Sequence, residues 1–142
     1  MKTYMAKAGS LQKNWVLVDC EGMTFGRAAS QIAAILMGKN KPEYTPNVDT
    51  GDYVIAVNVA KLTFTGKKLD QKYYYHHSGY PGGLKEVSYR HMMEKKPAFL
   101  FKEAVRRMLP KNKLGDKMLT KLHVYAGAEH NHQAQCPVKV EL

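Results

Sequence analysis

Two short segments constrain the fold more than any other feature of the chain. Trp15-Val16-Leu17-Val18-Asp19 and Tyr53-Val54-Ile55-Ala56-Val57 are near-continuous apolar runs rich in β-branched residues. Runs of this length without polar alternation suit strands covered on both faces, as parallel strands in α/β domains are. Between them, Gly26 to Met37 has helical periodicity. Arg27, Ser30, Gln31 and Ala34 fall on one narrow stripe, and Ala29, Ile32, Ala33, Leu36 and Met37 lie off it. Thr24 is a suitable N-cap and Gly38 a suitable stop. A helix with so thin a polar stripe must be covered on most sides. The spacing predicts a right-handed strand–helix–strand crossover.

The remaining chain continues the alternation. Leu62-Thr63-Phe64-Thr65 alternates and stops at Gly66, which predicts a third strand. Lys67 to Lys72 forms a charged turn, and Gln71 to His77 extends as an aromatic strand. A glycine-rich loop follows, then helical segments near Ser88 to Lys95 and Pro97 to Leu109. In the second of these, Ala98, Phe101, Ala104, Val105 and Met108 share one face, with Lys102, Glu103, Arg106 and Arg107 on the other. Pro97 fits a first helical turn. Asp116 to Lys121 reads as a helix and Leu122 to Tyr125 as a closing strand. Strands alternating with helices predict an α/β domain with helices packed on a mostly parallel sheet. The 142 residues carry no repeat and no linker, so residues 1–142 are expected to form one domain.

Charge is concentrated where it can form a face. The chain carries 22 Lys and Arg against 12 Asp and Glu, a net charge of +10. Residues 61–123 alone hold 15 basic and 5 acidic groups, so the whole excess lies in that stretch. A basic block inside a foldable region points to a polyanionic partner, nucleic acid or an anionic membrane surface, although a soluble surface alone would also be charged. The longest apolar run, Ile32 to Met37, is far too short to span a bilayer. Met1 to Lys7 leads into no hydrophobic stretch with a cleavage site, so no secretory leader is expected. Cys20 and Cys136 form no CxxC pair and are expected to stay reduced in a cytosol.

Catalytic and cofactor motifs fail on spacing. A P-loop needs a glycine five residues before its Gly-Lys pair, and the chain has Ala33 before Gly38-Lys39 and Lys61 before Gly66-Lys67. No G-x-G-x-x-G occurs. His130, His132 and Cys136 supply one potential donor pair without the second that zinc sites usually show, so no metal is expected. His77-Ser78 lacks a nucleophile elbow, and no close carboxylate pair stands out. The expectation is a non-enzyme with no cofactor and no small-molecule substrate.

What remains is basic, aromatic and glycine-rich together. Lys67, Lys68 and Lys72 precede Tyr73-Tyr74-Tyr75-His76-His77-Ser78-Gly79-Tyr80-Pro81-Gly82-Gly83-Leu84-Lys85. Rings can stack on splayed bases, lysines neutralise phosphates and glycines allow close backbone approach. About half of the tyrosines must face inward if the segment is a strand. A second basic cluster comprises Arg106, Arg107, Lys111, Lys113, Lys117 and Lys121, with Pro110 breaking the helix among them. The helix around Lys102 to Arg107 has no broad apolar face free for lipid, so nucleic acid is the better partner.

Several strings in order resemble the large-subunit ribosomal protein L thirteen family. They include Tyr74 to Lys85, Met108-Leu109-Pro110-Lys111-Asn112-Lys113-Leu114-Gly115, and Gly38-Lys39-Asn40-Lys41-Pro42-Glu43-Tyr44-Thr45-Pro46. Asp49 to Ile55, Lys121 to Gly127 and Glu129 to His132 belong to the same set, so the resemblance runs from about Trp15 to Pro137. It implies a single three-layer α/β/α domain with a four-stranded, mostly parallel sheet. It also implies binding to large-subunit ribosomal RNA, early assembly, neighbouring ribosomal proteins as partners, and a cytoplasmic location. Carried over by position, the implied RNA contacts are Lys39, Lys41, Lys67, Lys68, Lys72, Tyr74, His77, Ser78, Tyr80, Gly82, Gly83, Lys85, Lys111, Asn112, Lys113 and Lys121. The composition-based cluster adds Arg106, Arg107 and Lys117. His76, Asp116 and His123 stand where the family more often carries a basic residue. A free regulator acting on messenger RNA through the same face is the alternative.

Overall fold

The two apolar runs become adjacent parallel strands. In the computed structural model, which describes residues 4–142, β1 (Trp15–Asp19) pairs with β2 (Tyr53–Val57) in the register Val16 to Val54 and Val18 to Ala56. The reading of Met1 to Lys7 falls partly outside the described residues. Between the strands lies α1 (Phe25–Met37), one residue longer than its pattern predicts. Gly38 closes it in the left-handed region at φ 81°, donating its N–H to the last-turn carbonyls. The Thr24 side chain makes no capping bond; only its carbonyl accepts, from Ala28 N at 3.0 Å.

The chain then builds a two-stranded arm before returning to the sheet. After α2 (Lys68–Gln71) come β3 (Tyr73–His77) and β4 (Leu84–Ser88), an antiparallel hairpin separate from the main sheet. Three helices follow, α3 (Tyr89–Lys95), α4 (Pro97–Met108) and α5 (Lys113–Thr120). The closing strand β5 (Leu122–Val124) pairs with β2, and β6 (Val138–Lys139) pairs with β1. The four-stranded sheet is entirely parallel, in the order β5-β2-β1-β6.

Strand order dictates the layers. The steps β1 to β2 and β2 to β5 move the same way across the sheet, so right-handed crossovers put α1 and α3–α5 on one face. There Val16, Val18, Val54, Ala56 and Leu122 meet Ile32 and Leu36 of α1 and Leu100, Phe101 and Val105 of α4. Phe25 stacks on Phe64 at 4.7 Å and meets Phe101 edge-on at 5.5 Å. The return from β5 to β6 runs the other way and covers the opposite face. That third layer is thin, carrying only the 3-10 turn Gln133–Gln135. Beneath it Trp15 stacks on Tyr53 at 4.5 Å, and His132 packs on both Trp15 and His123.

Three expectations need correction. Residues 62–65 are not a strand: the 3-10 turn Val59–Lys61 leads into them, and Thr63 makes one isolated parallel bridge, with Thr24. The segment after the glycine turn is a strand, β4, not loop. Helix α5 begins three residues before Asp116, because the Asn112 side chain accepts from Gly115 N at 2.8 Å and caps it there. Gly115 is required at this turn: a Cβ would sit 1.9 Å from the Pro110 carbonyl oxygen.

Candidate nucleic-acid interface

Two exposed cationic and aromatic regions come out of this fold. The first is the α4–α5 corner. α4 ends at Met108 and α5 starts at Lys113, with only the four residues 109–112 turning the chain between them, so the charges on both helices converge. Arg106, Lys111, Asn112 and Lys113 line an open cleft of about 370 Å³ there. Asp116 lines it too, placing one carboxylate among the cations. Arg106 and Arg107 are half-exposed and both bond Glu103, Arg106 through two nitrogens at 2.7 and 2.6 Å. The Arg106 guanidinium, with Arg107, holds the Glu103 carboxyl below the usual carboxylate range. Lys111, Lys113 and Lys117 are exposed and form no ion pair among the described residues. They are the corner's uncommitted charges.

The second region is the hairpin. Strand alternation puts Tyr73, Tyr75 and His77 on its outer face and Tyr74 and His76 on its inner face. Tyr73 is 40% exposed, Tyr75 51% and Tyr80, at the tip, 76%. Tyr74 is turned inward, edge-on to Phe99 at 5.7 Å and with the Arg107 guanidinium 5.7 Å from its ring centre. The tip is shaped by local bonds. Gly79 N donates to His77 Nδ1 at 2.9 Å, Ser78 N to the Gly83 carbonyl and Gly83 N to the Tyr80 carbonyl. Gly82 has φ 70°, and a Cβ on Gly83 would fall 2.1 Å from Ser78 Oγ. The two glycines therefore build the tip. Lys85 extends from β4 on the inner face. Lys67 is exposed just before α2, Lys68 donates to Thr65 Oγ1, and Lys72 lies 4.9 Å from the Tyr89 ring centre.

Lys39, Lys41 and Lys121 fall outside both regions. Lys39 is exposed in the turn that ends α1. Lys41 Nζ donates to Asp52 Oδ1 at 2.6 Å and to the Gln12 carbonyl, which largely commits it inside the protein. Lys121 is a correction. It is 4% exposed, and its ammonium donates to the Leu36 carbonyl, the Gly51 carbonyl and Asp49 Oδ1. An ammonium has three protons and all three are used here, so no phosphate can be bound by it. Burial alone would raise the Asp49 carboxyl, but Lys121 and Lys13 outweigh it and hold the group below the usual range. Sequence proximity to Lys117 placed Lys121 in the basic cluster; the α5–β5 junction turns it inward.

Sequence reasoning did not single out Tyr73 and Tyr75 as contacts. The signal was present in the β pairing, since Tyr74 and Val87 have to face the helices and their neighbours then face out. His123 is half-buried under the thin layer, stacked 5.5 Å from Trp15. Burial, with help from His132 and Lys102, lowers its pKa below the ordinary value. Cys20 is fully buried and its thiol is pushed up to about 11 by burial, so it is unreactive, while Cys136 is exposed and free. Among the described residues no group of three or more His, Cys, Asp or Glu side chains is placed to hold a metal ion, and no helix is long and apolar enough to cross a membrane.

Comparison with known proteins agrees along the whole chain. Residues 13–131 match the family model described as Ribosomal protein L13. The "Large ribosomal subunit protein uL13" of Clostridium novyi is 63% identical over 142 residues, spanning 100% of this chain and 99% of that protein. Proteins of the same name from Clostridium tetani and Alkaliphilus metalliredigens are 62% and 57% identical over the same length. Family and fold therefore converge: the chain belongs to the ribosomal protein L13 family.

Proposed function

We propose that this protein is a structural, non-catalytic constituent of the large ribosomal subunit in the bacterial cytoplasm. It is held on large-subunit ribosomal RNA, among neighbouring ribosomal proteins, and joins early in assembly. The observation that carries the RNA reading is the pair of surfaces described above. Lys111, Lys113 and Lys117 have no internal counterion among the described residues, and Tyr73, Tyr75 and Tyr80 leave rings open to solvent. Phosphates displace counterions from the first, and unpaired bases stack on the second. Lys39, Lys67, Lys68, Lys72, His77, Ser78 and the Asn112 amide add positioning contacts around these two surfaces. Gly82 and Gly83 contribute by holding the tip.

The test is salt-dependent affinity for ribosomal RNA fragments. Lys111→Glu with Lys113→Glu is expected to lower both the affinity and the slope of log affinity against log salt. Reversal at Lys7 and Lys139, exposed and outside both surfaces, changes net charge equally and is expected to do much less. Equal losses from the two pairs would show that overall charge, not a face, drives binding. In cell extracts the protein is expected to sediment with large particles; confinement to the light fractions would favour a free regulator.

A further inference from the structure

The inner side of the hairpin differs from the outer side in chemistry. Between β4, α3 and α4 runs a groove made of two adjoining hollows of about 290 and 350 Å³, which share Val87, Met92 and Phe99 as their floor. Phe99 is 46% exposed although it lies on the first turn of a core helix. Around this floor stand Lys85, Lys95 and Lys96, with His76 and His91. No carboxylate lines either hollow, and the ammonium groups of the three lysines form no ion pair or hydrogen bond among the described residues. In this they resemble Lys111, Lys113 and Lys117 and differ from Lys13, Lys41, Lys61 and Lys121, which are each paired with an acid; what sets the groove apart is its apolar floor.

We infer that this groove docks a segment of a second protein, one that presents a large apolar side chain flanked by carboxylates. An apolar floor with an uncompensated cationic rim is complementary to that arrangement, the anchor being desolvated on the floor and the acids meeting the lysines. RNA fits less well. A base inserted here would find one ring, Phe99, on a floor otherwise made of the aliphatic Val87 and Met92, and at its edge ammonium and imidazole groups and the Tyr74 phenol but no side-chain amide or carboxylate, so its edge would be poorly matched. The hairpin is thus a two-sided element: Tyr73 and Tyr75 face RNA and the groove faces protein. The inference rests on the proposed function in one respect, that the second protein is a neighbour in the same particle.

Photocrosslinking in assembled particles tests it. The full chain carries p-benzoylphenylalanine in place of Phe99 or, so that the groove floor is left intact, in place of Lys96; a third version carries it in place of Tyr75. Either groove probe is expected to yield a protein adduct mapping to an apolar residue with neighbouring Asp or Glu. The adduct of the Phe99 probe is expected to fall about tenfold when Lys85→Glu and Lys95→Glu are added. A ribosomal RNA adduct at both groove positions would assign the groove to bases and overturn the inference. So would the absence of any protein adduct, or one unaffected by the charge reversals. The Tyr75 probe keeps the two readings apart: failure to reach RNA there refutes the RNA face, whatever the groove probes capture.

Discussion

Lys121→Met separates a structural lysine from a phosphate-binding one. Methionine keeps most of the aliphatic stem and removes the ammonium. The Leu36 and Gly51 carbonyls then lose a donor, while Asp49 keeps Lys13 at 2.8 Å. Breaking a buried pair costs about 3–5 kcal/mol when the remaining charge is stranded. Because Lys13 still neutralises Asp49, the low end applies, about 3 kcal/mol. With an unfolding entropy of about 2.1 cal/mol/K per residue, the 142 residues give roughly 0.3 kcal/mol/K, so Tm is expected to fall by about 10 °C. Thermal and urea unfolding measure this. On the folded variant, the salt slope of RNA affinity is expected to match the wild type. Lys117→Met, one turn earlier and exposed, is expected to do the opposite: stability changes by no more than about 0.5 kcal/mol, and the slope drops by about one. A Lys121→Met variant that loses under about 1 kcal/mol, or whose salt slope falls, would refute the reasoning.

Other outcomes follow from the same geometry. His123 has a pKa below its ordinary 6.5 when folded, so its neutral form is the one the fold accepts. That contribution is complete above about pH 6.5 and is lost as pH falls through the folded value. Tm is therefore expected to drop between pH 7 and 5, and His123→Phe, which keeps a ring against Trp15, to flatten that limb; parallel curves would contradict it. Gly83→Val is expected to weaken RNA binding without altering charge, by forcing the tip off Ser78 and the Tyr80 carbonyl, and to speed hydrogen exchange at Ser78 and Gly83. Slow exchange with weakened binding would instead implicate direct contact at that glycine. Tm is expected to be the same with and without a strong chelator, and a large drop would reveal a metal.

The sequence was most legible where burial is one-sided or complete over several residues. β1, α1, β2 and α4 each contain enough apolar positions at one period for the pattern to name the element within a residue or so. β6 is two residues, Val138 and Lys139, both exposed, and gains its identity only by pairing with β1. β4 reads Leu-Lys-Glu-Val-Ser, without clean alternation, because its hairpin is mostly solvated. Leu62 to Thr65 shows the reverse error: it alternates well, yet the sheet edge beside β2 is already taken by β5. For the site, composition located the two regions but not the phase within them. Tyr73, Tyr74 and Tyr75 are identical letters, and only cross-strand register decides which ring faces out. Lys117 and Lys121 likewise share a helical repeat, but the helix ends between them and the second turns inward.

The thin third layer has a consequence for the order in which the protein is made. Nearly all of the helical face, from β1 through β5, has emerged from synthesis before residues 125–142, which add Val140 and Leu142 at its edge, so most of that core can close while the opposite face of the sheet is still bare. The final segment then adds β6 beside β1, the most distant pairing in the sheet, and lowers His132 onto the aromatic surface. Chains fold from the N-terminal side as they appear, and late, distant closures are slow because of their loop entropy. Trp15 is the one tryptophan in the chain and sits directly under the last piece to arrive. Its fluorescence therefore times the sealing of the sheet separately from the collapse of the core. In refolding, a tryptophan signal that trails far-ultraviolet circular dichroism is the expected trace, and coincident signals would show that both faces close together.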